Sequence, residues 1–273
     1  MILNETAYFG SGAIQHIPEE VTRRGFKKAL IVTDKGLVEA GLLEKVTQLL
    51  DQHQLAYSIF DKTVPNPTVA IVKEGIQAFK REESDYMLAL GGGSPIDTAK
   101  AIGIVVNNPE FSDITSLEGV APTKYPSVPL LAIPTTSGTA AEVTINYVIT
   151  DEENKRKFVC VDPHDIPIVA FIDSEMMAGM PRELCAATGM DAMTHAIEGL
   201  ITPAAWEMTD MLHLKAIEVI GHSLRDSVNG DEVAREKMAL GQYLAGMGFS
   251  NVGLGLVHGM AHPLSAWYNI PHG

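Results

Sequence analysis

The chain opens into a series of short, largely apolar and β-branched runs separated by amphipathic stretches. Residues 29–33 (Ala-Leu-Ile-Val-Thr), 57–60, 86–90, 128–133 and 168–172 carry few polar interruptions, the pattern of strands buried on both faces of a parallel sheet. Pro129 fits because it stands at the start of its run. Between these runs, apolar positions recur at helical spacing over 37–50 and, after Pro65, Asn66 and Pro67, over 69–80; residues 98–103 also read as helical. Strands alternating with helices predict right-handed crossovers and an α/β, doubly wound parallel sheet of Rossmann-like type. Such sheets bind ligands at the carboxyl ends of their strands. Residues 146–150 and 157–160 alternate about the polar turn 151–154, which predicts a β-hairpin.

After Met180 and Pro181 the pattern changes to helical periodicity rich in Ala and Met, with no convincing strand. The expected organisation is an α/β domain over 1–180 and an all-α domain over 181–273. A cleft between the two is the expected active site.

Composition narrows the partners. With 46% hydrophobic and 20% charged residues, the 273-residue chain can bury a sizeable core. Its 34 acids against 20 bases give a formal charge of −14, which argues against nucleic acid or an anionic membrane as partner. The two cysteines, Cys160 and Cys185, are too few for a disulfide scaffold and read as core residues. No signal peptide or spanning stretch is evident in the sequence, so a cytoplasmic protein is expected.

Candidate chemistry falls at three places. The run 86–90 leads into Gly91, Gly92, Gly93, Ser94, Pro95, Ile96 and Asp97 at the start of a helix. Glycines there let the backbone approach a phosphate, and the free N–H groups of the helix favour an anion. The bland alternative is a well-made helix start, with Ser94 as N-cap, Pro95 at the first helical position and Asp97 closing a capping box. The run 128–133 leads into the hydroxyl-rich turn Thr135, Thr136, Ser137, Gly138, Thr139, which can bond phosphate or ribose or simply its own backbone. Asp191 and His195 lie four apart in a helical run, on one face, and so can reach a single point. His258 and His262 repeat that spacing, and His272 follows. One Asp and up to three of these imidazoles could close around a divalent metal, although such pairs are more often solvated or hydrogen-bonded to each other. Spacing alone does not choose among the three.

Taken in order, Gly91 to Lys100, Pro134 to Glu142, Asp191-Ala-Met-Thr-His195-Ala-Ile-Glu198, and His258-Gly-Met-Ala-His262 through Pro271-His272-Gly273 resemble the iron-dependent (group III) alcohol dehydrogenase family from end to end. The resemblance implies that Asp191, His195, His258 and His272 bind Fe²⁺, and that His262 handles protons near the substrate. It also implies an NAD site formed by Asp34, Asn66, Gly92, Gly93, Ser94, Asp97, Thr135, Thr136, Thr139, Asn146 and Lys157. Asp34 ends the first buried run, at the edge where an adenine ribose would lie; the alternative is that it only begins the next turn. Phe249, among the small residues of 246–250, is the expected wall of a tight pocket for a two- or three-carbon aldehyde, the alternative being an ordinary core aromatic. The resemblance implies a small aldehyde or diol as substrate, with lactaldehyde and 1,2-propanediol the expected pair.

One Asp⁻ and three neutral imidazoles would leave Fe²⁺ with a net charge of +1, still a Lewis acid, and the same ligands suit Zn²⁺. A homodimer is expected. Members of the family continue beyond the last ligand with further helices, so the chain is expected to be truncated. The alternatives are a metal- and nucleotide-binding fragment without activity, and a lyase of dehydroquinate synthase type. The latter needs cations for a polyanionic substrate, whereas residues 190–273 hold only Lys215, Arg225, Arg235 and Lys237, none within the ligand motifs.

Overall fold

A computed structural model describes residues 1–268. Its strands are β1 (Thr6–Phe9), β2 (Lys28–Val32), β3 (Ala56–Phe60), β4 (Tyr86–Gly91), β5 (Leu130–Pro134), β6 (Asn146–Asp151), β7 (Arg156–Val161) and β8 (Val169–Ile172). Its helices are α1 (Ile17–Arg24), α2 (Lys35–Glu39), α3 (Leu42–Gln52), α4 (Val69–Arg81), α5 (Gly93–Asn107), α6 (Ser174–Met177), α7 (Arg182–Ile201), α8 (Glu207–Val228), α9 (Glu232–Val252) and α10 (Leu256–Tyr268).

Six strands form one parallel sheet in the order β1-β8-β5-β4-β2-β3. Alternation within each strand divides the core in two. Leu30, Val32, Met87 and Ala89 pack with Val72 and Ile76 of α4 and Ile102 of α5, while Ala29, Ile31, Leu88 and Leu90 pack with Ile17 of α1 and Val46 and Leu50 of α3. Both faces are covered, which is why β4 is buried at every position. Strand order reverses between β2 and β4, and their carboxyl ends deliver Asp34 and Gly92 to the same edge of the sheet.

The expected hairpin is present as β6 and β7, an antiparallel pair outside the main sheet. Helices α7, α8 and α9 pack on one another through Ala192, Ala196, Ala216, Ile220, Met238 and Ala245. Met177, Met180, Cys185 and Ala239 join this helical layer to Ala170 and Ile172 of β8. Cys160 and Cys185 are buried free thiols, in keeping with a core role. Among the described residues no helix is long and apolar enough to cross a membrane.

Three expectations need correction, and one strand was missed. The helix expected over 37–50 is two, because Gly41 adopts φ 74° and ends α2 before α3 begins. The strand expected from 128 begins at Leu130. Strand β1 was not anticipated, since Thr6–Phe9 alternates between half-buried and exposed and carries no apolar run; it pairs in parallel with β8 at the sheet edge. Finally, α5 starts one turn's fraction earlier than expected, with Gly92 and not Ser94 as N-cap. No capping box closes there: Asp97 turns its carboxylate away from the helix start and accepts the N–H of Val148 at 3.0 Å.

Candidate metal and nucleotide site

The central helix of the site is α7. Positions 191, 195 and 198 fall on one stripe of it, and Asp191, His195 and Glu198 are all buried there. From α10, His258 turns toward the same stripe. Its Nδ1 lies 2.6 Å from Glu198 Oε2, and the N–H of Val257 donates to Glu198 Oε1 at 2.7 Å. An Nδ1–H donated to Glu198 leaves Nε2 as the electron-pair donor, and Nε2 faces Asp191 Oδ1 at 3.4 Å. His195 Nε2 stands 3.7 Å from the same oxygen. The imidazoles of His195 and His258 stack 4.4 Å apart, and Phe249 of α9 stacks on the other side of His195 at 4.3 Å.

One carboxylate oxygen and two imidazole nitrogens, all from buried residues and within 4.8 Å of one another, suit a divalent transition metal. Burial disfavours a charged His258, but hydrogen bonds to Asp191 and Glu198 outweigh it and raise the imidazole pKa in the metal-free chain. Glu198 was quoted in the sequence motif without a role. Its place seven residues after Asp191, on the same helical stripe, was the available sign.

A cleft runs from this cluster to the start of α5. It is lined by Gly93, Ser94 and Asp97 on α5, Thr139 and Thr144 on the connection between β5 and β6, and Asn146 and Val148 on β6. Asn66, Lys157, Phe249, Leu254 and His262 complete the lining around Asp191, His195 and His258. Of the sequence candidates, Asn66, Gly93, Ser94, Asp97, Thr139, Asn146, Lys157, Phe249 and His262 therefore meet in one cleft with these three residues.

Gly92, Thr135 and Thr136 stand behind it. A Cβ on Gly92 would come within 3.0 Å of Thr136, and one on Gly93 within 3.1 Å of Thr139, so the two turns touch where side chains are missing. Thr135 is buried and its N–H donates to Gly91 O. Asp34 lies outside the cleft lining and caps α2, accepting the N–H of Leu37 at 3.0 Å. His272 lies outside the described residues. Thr144, Tyr147, Val148 and Leu254 line the cleft without having been singled out, because nothing local in the sequence marks which face of a hairpin meets a distant helix.

Further polar groups are fixed by burial. Burial pushes the Asp97 carboxyl up to about 7 against the opposing charge of Lys100, and it lowers Lys157, whose ammonium donates to Asn66 Oδ1 and Ser265 Oγ.

Small residues bring the two layers together. A Cβ on Gly138 would lie 2.6 Å from Thr188 of α7, and one on Gly246 of α9 would lie 2.4 Å from Ala140, so the threonine turn fits between these helices. The fold and the donor set define a metal-dependent enzyme of nucleotide-binding α/β architecture.

The sequence pattern of the iron-containing alcohol dehydrogenases matches residues 4–174, and that of the C-terminal region of the same family matches residues 185–273; the chain belongs to this family. It is 68% identical over 273 residues to lactaldehyde reductase of Escherichia coli (strain K12), covering all of this chain and 72% of that protein. A crystal structure of 1,3-propanediol oxidoreductase superposes with a TM-score of 0.95 at 41% identity, covering 99% of this chain and 71% of the other. Sulfoacetaldehyde reductase from Bifidobacterium kashiwanohense, solved in complex with NAD⁺, gives a TM-score of 0.88 at 29% identity over 98% of this chain and 71% of the other.

Proposed function

We propose that the chain is an NAD-dependent, iron-dependent alcohol dehydrogenase that interconverts a small aldehyde and its alcohol, with lactaldehyde and 1,2-propanediol as the pair. The observation that carries this reading is the convergence of Asp191, His195 and His258 at one end of a cleft whose other end is the glycine-started helix α5. Likeness to lactaldehyde reductase at 68% identity supports the substrate pair, and the NAD⁺ complex of the sulfoacetaldehyde reductase supports the cofactor.

When bound, Fe²⁺ supplies Lewis-acid polarisation of a carbonyl and NADH supplies the hydride. Asp191, His195 and His258 would hold the metal, with His272 as the proposed fourth ligand, and Glu198 orients His258 through Nδ1. Zn²⁺ fits the same donors. At the other end, Gly93 lines the cleft where the backbone can approach a pyrophosphate, Gly92 fits against Thr136 behind it, and the N-terminal N–H groups of α5 favour the charge. Ser94, Asp97, Thr135, Thr136, Thr139, Asn66, Asn146 and Lys157 complete this nucleotide site. Phe249 and Leu254 supply an apolar wall that excludes water and limits substrate size. His262, on the turn of α10 after His258, would carry the proton at its imidazole, a role supported by its place in the cleft lining.

Under this reading residues 1–180 form the nucleotide domain and 181–273 the metal domain, a division in keeping with where the two family patterns match. A cytoplasmic homodimer is part of the proposal; sedimentation analysis tests the assembly. A rival reading, binding without turnover, draws on the exposed apolar side chains of Ile201, Met211, Leu256, Met260 and Leu264 on α7, α8 and α10. Anaerobic loading with Fe²⁺ followed by NADH oxidation against a panel of aldehydes separates the two. Turnover that is greatest for two- and three-carbon aldehydes supports the dehydrogenase, and metal and NADH binding without aldehyde-dependent oxidation overturns it.

A further inference from the structure

Lys100 is fully buried in the second turn of α5. Its ammonium donates to Thr144 O, to Thr144 Oγ1 at 3.0 Å and to Asn146 O at 2.8 Å, which uses all three of its protons. One turn earlier on the same helical face, Asp97 Oδ2 accepts the N–H of Val148. Asn146 and Val148 are two apart, so their backbone groups point to the same edge of β6, and that edge is turned to α5. Strand β6 otherwise pairs with β7 in a two-stranded sheet and is tied at its far end by a single bridge from Thr150 to Thr68, an arrangement that is marginal without further support.

Burying an ammonium is costly, and a protein retains one where its partners are arranged around it. Here the Asp165 carboxylate lies 3.9 Å from Nζ, itself fully buried, and three acceptors converge on the ammonium. A neutral amide or hydroxyl at this point has too few donors for three acceptors. The segment so held, with Thr144, Asn146, Tyr147 and Val148, is the wall of the cleft facing Gly93 and Ser94. One helix therefore supplies the anion-favouring end of the cleft with its first turn and fixes the opposite wall with its second.

We infer that Lys100 is a positioning residue that holds segment 144–148 at the spacing from α5 that a bound nucleotide requires. The inference rests on the nucleotide reading given above. It separates nucleotide binding from metal binding, because Asp191, His195, Glu198 and His258 lie on α7 and α10, whereas Lys100 and its acceptors lie on α5 and residues 144–146.

Wild-type protein, Lys100→Met and Lys100→Gln are compared by anaerobic iron loading, by fluorescence titration with NADH in the absence of aldehyde, and by hydrogen–deuterium exchange over peptides spanning 144–150. Met approximates the aliphatic stem of lysine without donors, and Gln places two donors on an arm of about the same reach as Met, one atom shorter than lysine. The expected result for Lys100→Met is wild-type iron content, a Kd for NADH raised about ten-fold or more and faster exchange over 144–150, with Lys100→Gln between the two. Wild-type NADH affinity and exchange in either variant would overturn the inference, as would parallel loss of iron and NADH. If Lys100→Met does not fold, the same comparisons in Lys100→Gln decide. Failure of wild-type protein to bind NADH would overturn the nucleotide reading instead, and the exchange data would still decide whether Lys100 holds the segment.

Discussion

Asp191 and His195 were legible because a four-residue spacing on a helix has a direct geometric meaning, and the structure places both against His258. Glu198 was legible in the same way yet carried no role, since a search for ligands passes over the residue that orients one. Carboxylates that fix a ligating imidazole typically change metal affinity 10- to 100-fold when removed. Glu198→Gln is accordingly expected to weaken iron retention by about that factor while Asp191, His195 and His258 remain, measured by competition with a chelator. The division of roles among the histidines gives a second expected outcome: His258→Ala loses iron, whereas His262→Ala keeps it and turns over more slowly. Equal iron loss in both would contradict that division. Asp34 shows how a residue can satisfy two readings. It caps α2, and it also stands at the carboxyl end of β2, where a carboxylate would accept a bond from a ribose 2′-OH and oppose a 2′-phosphate. Because Gly replaces Asp at an N-cap at a cost of only about a few tenths of a kcal/mol, Asp34→Gly is expected to fold normally and to relax a preference for NADH over NADPH. Steady-state kinetics with both cofactors check it.

At the scale of elements, runs such as 86–90 announced their strands because both faces of the sheet are covered and no polar position interrupts them. Edge strand β1 gave no such sign, and it is defined by its partner β8 and not by its own composition. The start of α5 was misplaced by local logic: Ser-Pro-Ile-Asp reads as a capped helix start, but Asp97 is drawn away by Val148 on a strand fifty-one residues on. Close approach of elements was likewise invisible in the sequence. Gly246 of α9 leaves room for Ala140 at the threonine turn, with a Cβ there meeting the Ala140 side chain at 2.4 Å and Val143 at 2.6 Å. Gly246→Val should therefore push α9 from the turn and destabilise the chain by about 1–3 kcal/mol, read as a fall in the denaturant midpoint. An unchanged midpoint would mean that this contact relaxes without cost.

For the whole molecule, the change from alternating strands and helices to helices alone after Pro181 was legible in the sequence, but the polar contacts between those helices and the rest of the chain were not. Gln242 of α9 donates to Glu142, Ile145 donates to Ser250 of α9, and Tyr243 of α9 donates to Asn4 Oδ1. These bonds place charge inside the layer boundary: burial pushes Glu142 up to about 7, opposed by the Gln242 bond and Lys100. A carboxyl whose folded pKa exceeds its unfolded value penalises the native state as pH rises between the two, and fully above the folded value. Glu142→Gln should therefore match wild-type stability near pH 4.5 and exceed it at pH 8, as thermal melts at both values would reveal. The joined layers matter because they set the metal donors against the nucleotide cleft, and that convergence is the claim on which the rest depends. Its most direct test is iron stoichiometry after anaerobic reconstitution and gel filtration, in wild-type protein and in Asp191→Ala. The account predicts about one iron per chain in the wild type, taken from a single ligand cluster, and none above background in the variant. Equal iron in both would show that Asp191, His195 and His258 do not form the metal site.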